Sequence, residues 1–411
     1  MTSDGPPRQD GGGLAARPQL IRTMNEQLLL EEVRRSSPVS RPDLARLTGL
    51  SKPTVTQSLA GLERDGLVQA AGRRTGVRGP AAVLYELRPD AGFVLGLDVG
   101  RLYLRGALVD LAGNVRAKLS RRASTTSGRG RVVELAALAD ELLRAERIRP
   151  SRVLLQTVIG SPGVIDPVRG ALTMAANFPG WEQPEVLREL RRLFGDATVV
   201  ENDVDVAALA ERDHGHGRHA STFAFVSVGT GIGMGLVIDG KLHRGAHGAA
   251  GEIAYLPLTS GRADPEEVRH RGALEAAVSA SAVVRAARAQ GLDGSLSARK
   301  VFVAAAAGDA RARAVVSTQA QLVAKALASI IVIVDPELIV LGGGIGSAPG
   351  FAVEIAARLE RLAPFVPEIR VSALGEDAVV DGTLAAGLEL VWERLLRSRE
   401  PAAPPRRSRP V

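Results

Sequence analysis

From Phe93 onward, short apolar runs that often end in glycine alternate with Ala/Leu-rich stretches, and no other feature of the chain constrains its fold as much. Runs at 94–97, 104–110, 153–159, 198–200, 223–227, 234–238 and 338–341 have the length and β-branched content of strands. Strands spaced by helix-length segments predict an α/β architecture, because parallel neighbours need a long crossover. At 411 residues the chain exceeds one ordinary core, so a small domain and a larger, bilobal one are expected. A hydrophobic share of 45% gives that interior its material.

Residues 20–87 read differently, as a compact helical pattern closed by a hairpin. A first helix is expected over 21–35. Ser40-Arg41-Pro42-Asp43 then has the form of a capped helix start, with Ser as N-cap, Pro in the first turn and an acid three residues on. This second helix should end near Thr48-Gly49. Ser51 can cap a third, in which Val55, Leu59 and Leu62 form the buried stripe and Gln57 and Arg64 point outward. Two helices joined by a short Gly-containing turn, the second with a polar outer face, suit insertion into the major groove. The candidate DNA contacts are Ser51, Lys52, Thr54, Thr56, Gln57 and Arg64. The following QAAGRRTGVRGPAAVLYEL reads as a wing of two strands around a loop, whose Arg73, Arg74 and Arg78 suit phosphates or a narrow minor groove.

Residues 1–18 and 398–411 lack periodicity and are expected to be disordered, the latter as a basic tail. Residues 19–88 form the expected winged helix-turn-helix, and 91–397 the large domain. Charge divides accordingly. Residues 1–90 hold 13 Lys/Arg against 10 Asp/Glu and residues 398–411 hold 4 against 1, while the body between is almost neutral. Basic ends favour a polyanionic partner, double-stranded DNA, although the tail alone reads as a solvated terminus. No uncharged apolar run approaches about 18 residues and no signal-like stretch opens the chain, so a cytoplasmic location without membrane contact is expected. The absence of cysteine rules out disulfides and thiolate metal sites.

The large domain opens with FVLGLDVGRLYLRGALVDLAGNV (93–115), in which an Asp and a Gly turn separate two strands. SPGVIDP (161–167), AANFPGW (175–181), ENDVDVAALAE (201–211), SVGTGIGMGLVIDGKL (227–242), GAAGEIAY (248–255), GALEA (272–276) and DPELIVLGGGIG (335–346) follow. In this order and spacing they resemble the ROK family of repressors and sugar kinases, and the helix-turn-helix in front resembles its repressor branch. The resemblance implies a bilobal actin-like ATPase (ribonuclease H-like) sugar-kinase fold with a sugar between the lobes. It places Asn177, Asn202, Asp203, Glu252, Tyr255 and Glu275 at sugar-contacting positions, and Asp203 where the kinases hold their general base.

On the nucleotide side the resemblance assigns Asp98 and Gly100, then Gly229, Thr230, Gly231 and Gly233, then Gly342, Gly343 and Gly344. Where the kinases carry D-x-G-G-T this chain reads Asp98-Val99-Gly100-Arg101-Leu102, which crowds the phosphate seat and removes a hydroxyl. ATP, magnesium and kinase activity are therefore not expected, and Asp203 and the glycine turns read as vestigial. The family's zinc site is expected to be absent, since Tyr255 stands for its histidine and Ala273 for a cysteine. His214, His216 and His219 read as a solvated loop rather than a metal cluster.

The expectation is a sugar-responsive repressor of carbohydrate genes, acting as a homodimer or homotetramer on operator DNA. Two alternatives stay open: a sugar kinase with an appended DNA-binding module, and a DNA-binding scaffold whose pocket Tyr255 blocks.

Overall fold

The computed structural model describes residues 16–74, 82–148, 154–175, 178–258 and 265–397. Helices α1 (Ala16–Ser36), α2 (Arg41–Thr48) and α3 (Lys52–Arg64) pack over a small antiparallel sheet of β1 (Val39–Ser40), β2 (Val68–Arg74) and β3 (Ala82–Leu87), in the order β1-β3-β2. Ser40 caps α2 through a reciprocal pair with Asp43, and Gly49 ends it in the left-handed conformation at φ 73°. Ser51 caps α3 by accepting from the Thr54 amide. Leu29, Leu30, Val33, Leu44, Val55, Leu59 and Leu62 are fully buried between the three helices. Two details depart from the sequence reading. α1 begins at Ala16 rather than Ile21, and β1, too short to leave a pattern, pairs Val39 with Tyr85 and Ser40 with Leu84.

The large domain holds two five-stranded sheets. The first joins β4 (Phe93–Val99), β5 (Tyr103–Asp110), β6 (Val115–Arg122), β7 (Leu154–Ser161) and β10 (Val199–Asn202) in the order β10-β7-β4-β5-β6. A hairpin of β8 (Val164–Asp166) and β9 (Ala171–Thr173) follows β7. The second sheet joins β11 (Phe223–Val228), β12 (Ile232–Ile238), β13 (Lys241–Leu242), β14 (Leu338–Gly342) and β15 (Glu368–Val371) in the order β13-β12-β11-β14-β15. In each sheet the first three strands meander antiparallel, and the fourth and fifth add in parallel on the other side of the first. The two lobes thus repeat one topology. The duplication sets the β4–β5 and β11–β12 turns at equivalent places, the first reading Gly100-Arg101-Leu102 and the second Gly229-Thr230-Gly231.

In the first lobe α4 (Gly128–Ala145) and α5 (Pro184–Phe194) cover the sheet, and α6 (Asp203–His214) follows β10. In the second, α7 (Pro265–Arg271), α8 (Ala273–Val278), α9 (Ala280–Ala289), α10 (Ala298–Ala306), α11 (Ala310–Val334), α12 (Gly343–Gly346) and α13 (Phe351–Leu359) pack about β11 and β14, and α14 (Ala378–Arg397) follows β15. By length and composition alone α11 is apolar enough to cross a membrane, and half of its most apolar window is buried inside the protein. Ala312, Val316, Ala320, Val323, Leu327 and Ile331 bury its inner face in the core of the second lobe.

Helices α6 and α14 cross each other where the lobes meet. A β-carbon on Gly382 would stand 1.7 Å from the Val206 carbonyl oxygen, so the two backbones can approach this closely only at glycine. α14 then runs on to the N-terminal domain. Val391 and Trp392 lie in one continuous hydrophobic cluster with Leu29, Leu59, Leu62, Val94 and Val109. The Arg34 guanidinium sits 4.9 Å above the Trp392 ring, and Gln27 donates to the Leu396 carbonyl. Twenty residues of helix span about 30 Å, so one rigid element reaches from the lobe junction to the DNA-binding domain.

Candidate functional site

The outer face of α3 carries Lys52, Thr56 and Gln57, all exposed, while Val55, Leu59 and Leu62 fill its inner face. Ser51 and Thr54 also lie at the start of the helix but bond to each other, hydroxyl to hydroxyl at 2.8 Å, in addition to the cap. Arg64 folds back on its own helix, its Nε 3.3 Å from the Ala60 carbonyl. On the wing, Arg73 is exposed, whereas Arg74 pairs with Asp43 at 3.1 Å. The Ser40 hydroxyl, with help from Arg74, holds the Asp43 carboxyl below its ordinary range. Arg78 lies outside the described residues. Among the described candidates, Lys52, Thr56, Gln57 and Arg73 therefore keep polar groups without a side-chain hydrogen bond or ion pair.

Between the lobes lies a cleft of about 650 Å³. Its walls bring together Asp98, Gly100, Asn202, Asp203, Gly229, Thr230, Gly231, Gly233, Glu252, Tyr255, Glu275, Gly343 and Gly344, residues drawn from six separate segments of the sequence. Gly342 stands behind the wall, where a β-carbon would press on the Phe225 ring at 2.4 Å. Asn177 lies outside the described residues. Tyr255 is 40% exposed and lines the cleft without filling it.

The polar groups differ in what they have left to offer. Asn202 caps α6, accepting from the Val204 and Asp205 amides at 2.9 and 3.2 Å and donating to the Gly163 carbonyl at 3.0 Å. Glu275 accepts from the Ile232 amide at 3.3 Å and from Arg271 at 3.0 Å, and only glycine at 231 lets it come so close. Asp98, 4% exposed, accepts from Arg105 at 3.3 Å, and Arg105 reaches on to Glu376. Glu252 is presented by Gly251 at φ +94°, where a β-carbon would meet the Met234 carbonyl. Asp203 opens the first turn of α6, and Asp203 and Glu252 have no ion-pair partner among the described residues.

Burial and mutual repulsion push four of these carboxyls up. Desolvation, then the charge of Asp203, raises Asp98 to about 7 despite Arg105. Desolvation carries Asp203 to about 6, and desolvation with Asp203 and Glu275 takes Glu252 to about 7. Asp205, unassigned from the sequence, is raised to about 8 by desolvation and then by Glu201. The folded state thus holds these protons above the usual carboxylate range near 4. It gains stability from them at low pH and loses it as pH climbs through about 6 to 8. Melting of the ligand-free protein, followed from about pH 5 to pH 9, is expected to show a falling midpoint, with Asp205→Asn flattening the fall. A midpoint rising across that window would contradict this account of the cleft.

The donor set does not fit a structural zinc ion. The chain has no cysteine, and among the described residues no group of three or more His, Cys, Asp and Glu can hold a metal. Instead the Tyr255 hydroxyl donates to the His270 carbonyl at 3.3 Å, joining the two segments directly.

Asp205, Arg105 and Arg271 were not singled out in the sequence. Arg105 sits mid-strand, Arg271 ends a helix, and an acid in the first turn of α6 reads as helix-dipole chemistry.

Residues 94–386 match the ROK family profile, and residues 23–78 that of the MarR family. The xylose repressor of Caldicellulosiruptor bescii is 25% identical over 385 residues, 89% of this chain and 96% of the repressor. Among solved structures, a ROK family transcriptional regulator homologous to the MLC protein of E. coli covers 92% of this chain and 98% of its own, at 22% identity and a TM-score of 0.73. The ROK hexokinase of Thermus thermophilus covers 73% of this chain and 99% of its own, at 29% identity and a TM-score of 0.62. A doubled sheet of one topology, a cleft lined by the motif residues and a winged helix in front combine with a profile match over most of the chain: this protein belongs to the ROK family.

Proposed function

We propose that this chain is a sugar-responsive transcriptional repressor acting in the cytoplasm, in which the winged helix binds operator DNA and the interlobe cleft senses a sugar without phosphorylating it. One observation carries the reading: α14 lines the cleft at Ala378 and Val379 and ends in the hydrophobic core of the DNA-binding domain. A change in lobe closure therefore displaces an element on which the winged helix rests. Sugar shifts the balance between DNA-competent and incompetent arrangements to the extent that its affinity differs between them. Two copies would place their α3 helices on half-sites about 34–36 Å apart, which favours a homodimer or homotetramer. The similarity to a named xylose repressor supports the same role.

Loss of phosphoryl transfer rests on the first glycine turn. Arg101 and Leu102 stand exposed where the cleft would seat a phosphate, and Asp98 is engaged by Arg105. Binding of ATP and magnesium is accordingly not part of the proposal. The kinase alternative draws on Asp203 and the intact 229–231 turn. Incubation with ATP, magnesium and a sugar panel separates the two, since turnover that disappears in Asp203→Asn would establish the kinase. The regulator is tested by DNA binding to its own upstream region at stated salt, with and without sugars. Specific binding altered by one sugar is expected, and Gln57→Ala is expected to weaken specific binding by about 1–3 kcal/mol. Absence of any specific binding overturns the proposal.

A further inference from the structure

Among the described residues, four non-glycine positions have a positive φ: Arg147, Met174, Asp239 and Asp335. Three of them have local reasons. Arg147 follows the end of α4, Asp335 caps α11, and Asp239 opens the Asp-Gly turn between β12 and β13, a setting in which aspartate tolerates this region. Met174, at φ 60°, has no such setting. It follows β9 and lines the cleft, with 37% of its surface exposed. The backbone on either side is held: a β-carbon on Gly163 would stand 2.5 Å from the Thr173 carbonyl oxygen, and the Ala175 amide donates to the Glu182 carboxylate.

A residue in a sparsely populated conformation persists only where its surroundings over-determine it, and such residues cluster at ligand sites. Polarity in this cleft also changes with depth. Asp98 and Glu275 are 4% and 8% exposed, whereas the large apolar residues of the same walls, Leu102, Tyr103, Met174 and Tyr255, are 37–59% exposed. The hydroxyls of a sugar suit the buried acids and leave the outer apolar wall in water. Exposed apolar surface in a cleft marks the place of an apolar group. The volume of about 650 Å³ lies in the range of sites for drug-sized ligands, so a single sugar ring leaves room for one.

We propose that the effector is a glycoside, a sugar carrying an apolar aglycone, and that Met174 is the specificity-determining residue against which the aglycone packs. A thioether is flexible and polarizable, which suits contact with an aromatic ring. The proposal rests on the sugar-sensing reading and narrows its ligand class.

The test is calorimetric titration of the full chain with glucose, galactose and xylose, each as the free sugar and as the methyl and phenyl glycosides in both anomers. For at least one sugar a phenyl glycoside is expected to bind about tenfold or more tighter than the free sugar and the methyl glycoside, because its ring and the outer wall leave water together. The methyl glycoside separates that gain from blocking of the anomeric hydroxyl. Met174→Gly is expected to cut the preference below about threefold, while the melting midpoint of the ligand-free protein rises or stays within about 2 °C of the parent's, since glycine adopts this φ without strain. A methionine with a purely structural role would lose stability instead. Phenyl glycosides no tighter than their free sugars overturn the proposal and leave the sugar-sensing reading intact. So does a preference that survives Met174→Gly, or a midpoint that falls further than this. Failure of every sugar and glycoside to bind removes both.

Discussion

Trp392→Ala is expected to lower stability by about 3–5 kcal/mol, the usual cost of deleting a buried aromatic side chain, and to abolish operator binding. The indole is 4% exposed and lies in the cluster that joins the N-terminal helices to the first sheet. Its loss leaves a cavity at the junction and removes the ring beneath Arg34, a stacked cation worth a further fraction of a kcal/mol to about 2. The damage should fall on the DNA-binding domain first, because the second lobe has a separate core. Urea unfolding followed by far-ultraviolet circular dichroism, together with DNA binding below the transition, will decide the matter. A stability change under about 1 kcal/mol with operator affinity retained would mean that α14 does not support the winged helix.

Gly382→Ala should act at the other end of the same helix. Alanine is the better helix former by about 1 kcal/mol, so propensity alone would make the variant more stable. Opposing this, the new β-carbon would stand 1.7 Å from a backbone oxygen of Val206, which cannot swing aside as a side-chain tip can. Forcing packed elements apart costs about 1–3 kcal/mol, occasionally more, so a net loss of about 2 kcal/mol is expected. The functional effect should exceed the structural one. Val206 lies one residue beyond Asp205 and three beyond Asp203, so parting α6 from α14 displaces the acids of the cleft. Titration of the most responsive sugar is expected to show affinity falling at least about tenfold, and a variant as stable and as sugar-responsive as the parent would show that the close crossing is unimportant.

Much of this arrangement was legible where chemistry is local. Ser40 with Asp43, Gly49 and Ser51 announce helix ends because a cap is satisfied within a few residues, and each cap formed as expected. Central strands such as β4 and β11 were legible because burial on both faces leaves an unbroken apolar run. β6 was not, since its residues are mostly exposed and basic, and neither were the short edges β13 and β15. The repeat of one topology in both lobes could not be read, because it is carried by strand order rather than by recurring side chains. Within the site, glycines and acids at the ends of strands were legible, whereas what occupies them was not. The Glu275 carboxylate is committed to Arg271 and to the Ile232 amide, and Arg105 bridges Asp98 to Glu376, a residue far along the chain. Arg271 is only four residues from Glu275 and Arg105 faces Asp98 across the β4–β5 hairpin, but the Ile232 amide and Glu376 are brought to these groups from distant parts of the chain. Arg74 is a similar case: a basic wing residue is the natural candidate for phosphate, yet this one is turned toward Asp43.

The dependence of the winged helix on α14 also bears on how the protein is made. Synthesis runs from the N-terminus, and domains generally fold as they emerge from the ribosome. The three N-terminal helices appear early, but the surface formed by Val391 and Trp392 against which they close is translated after both lobes. A nascent chain therefore exposes the part of its N-terminal domain that Val391 and Trp392 cover until both lobes have been translated. Ribosomes stalled within the second lobe would release polypeptides whose N-terminal helices lack the surface that Val391 and Trp392 provide.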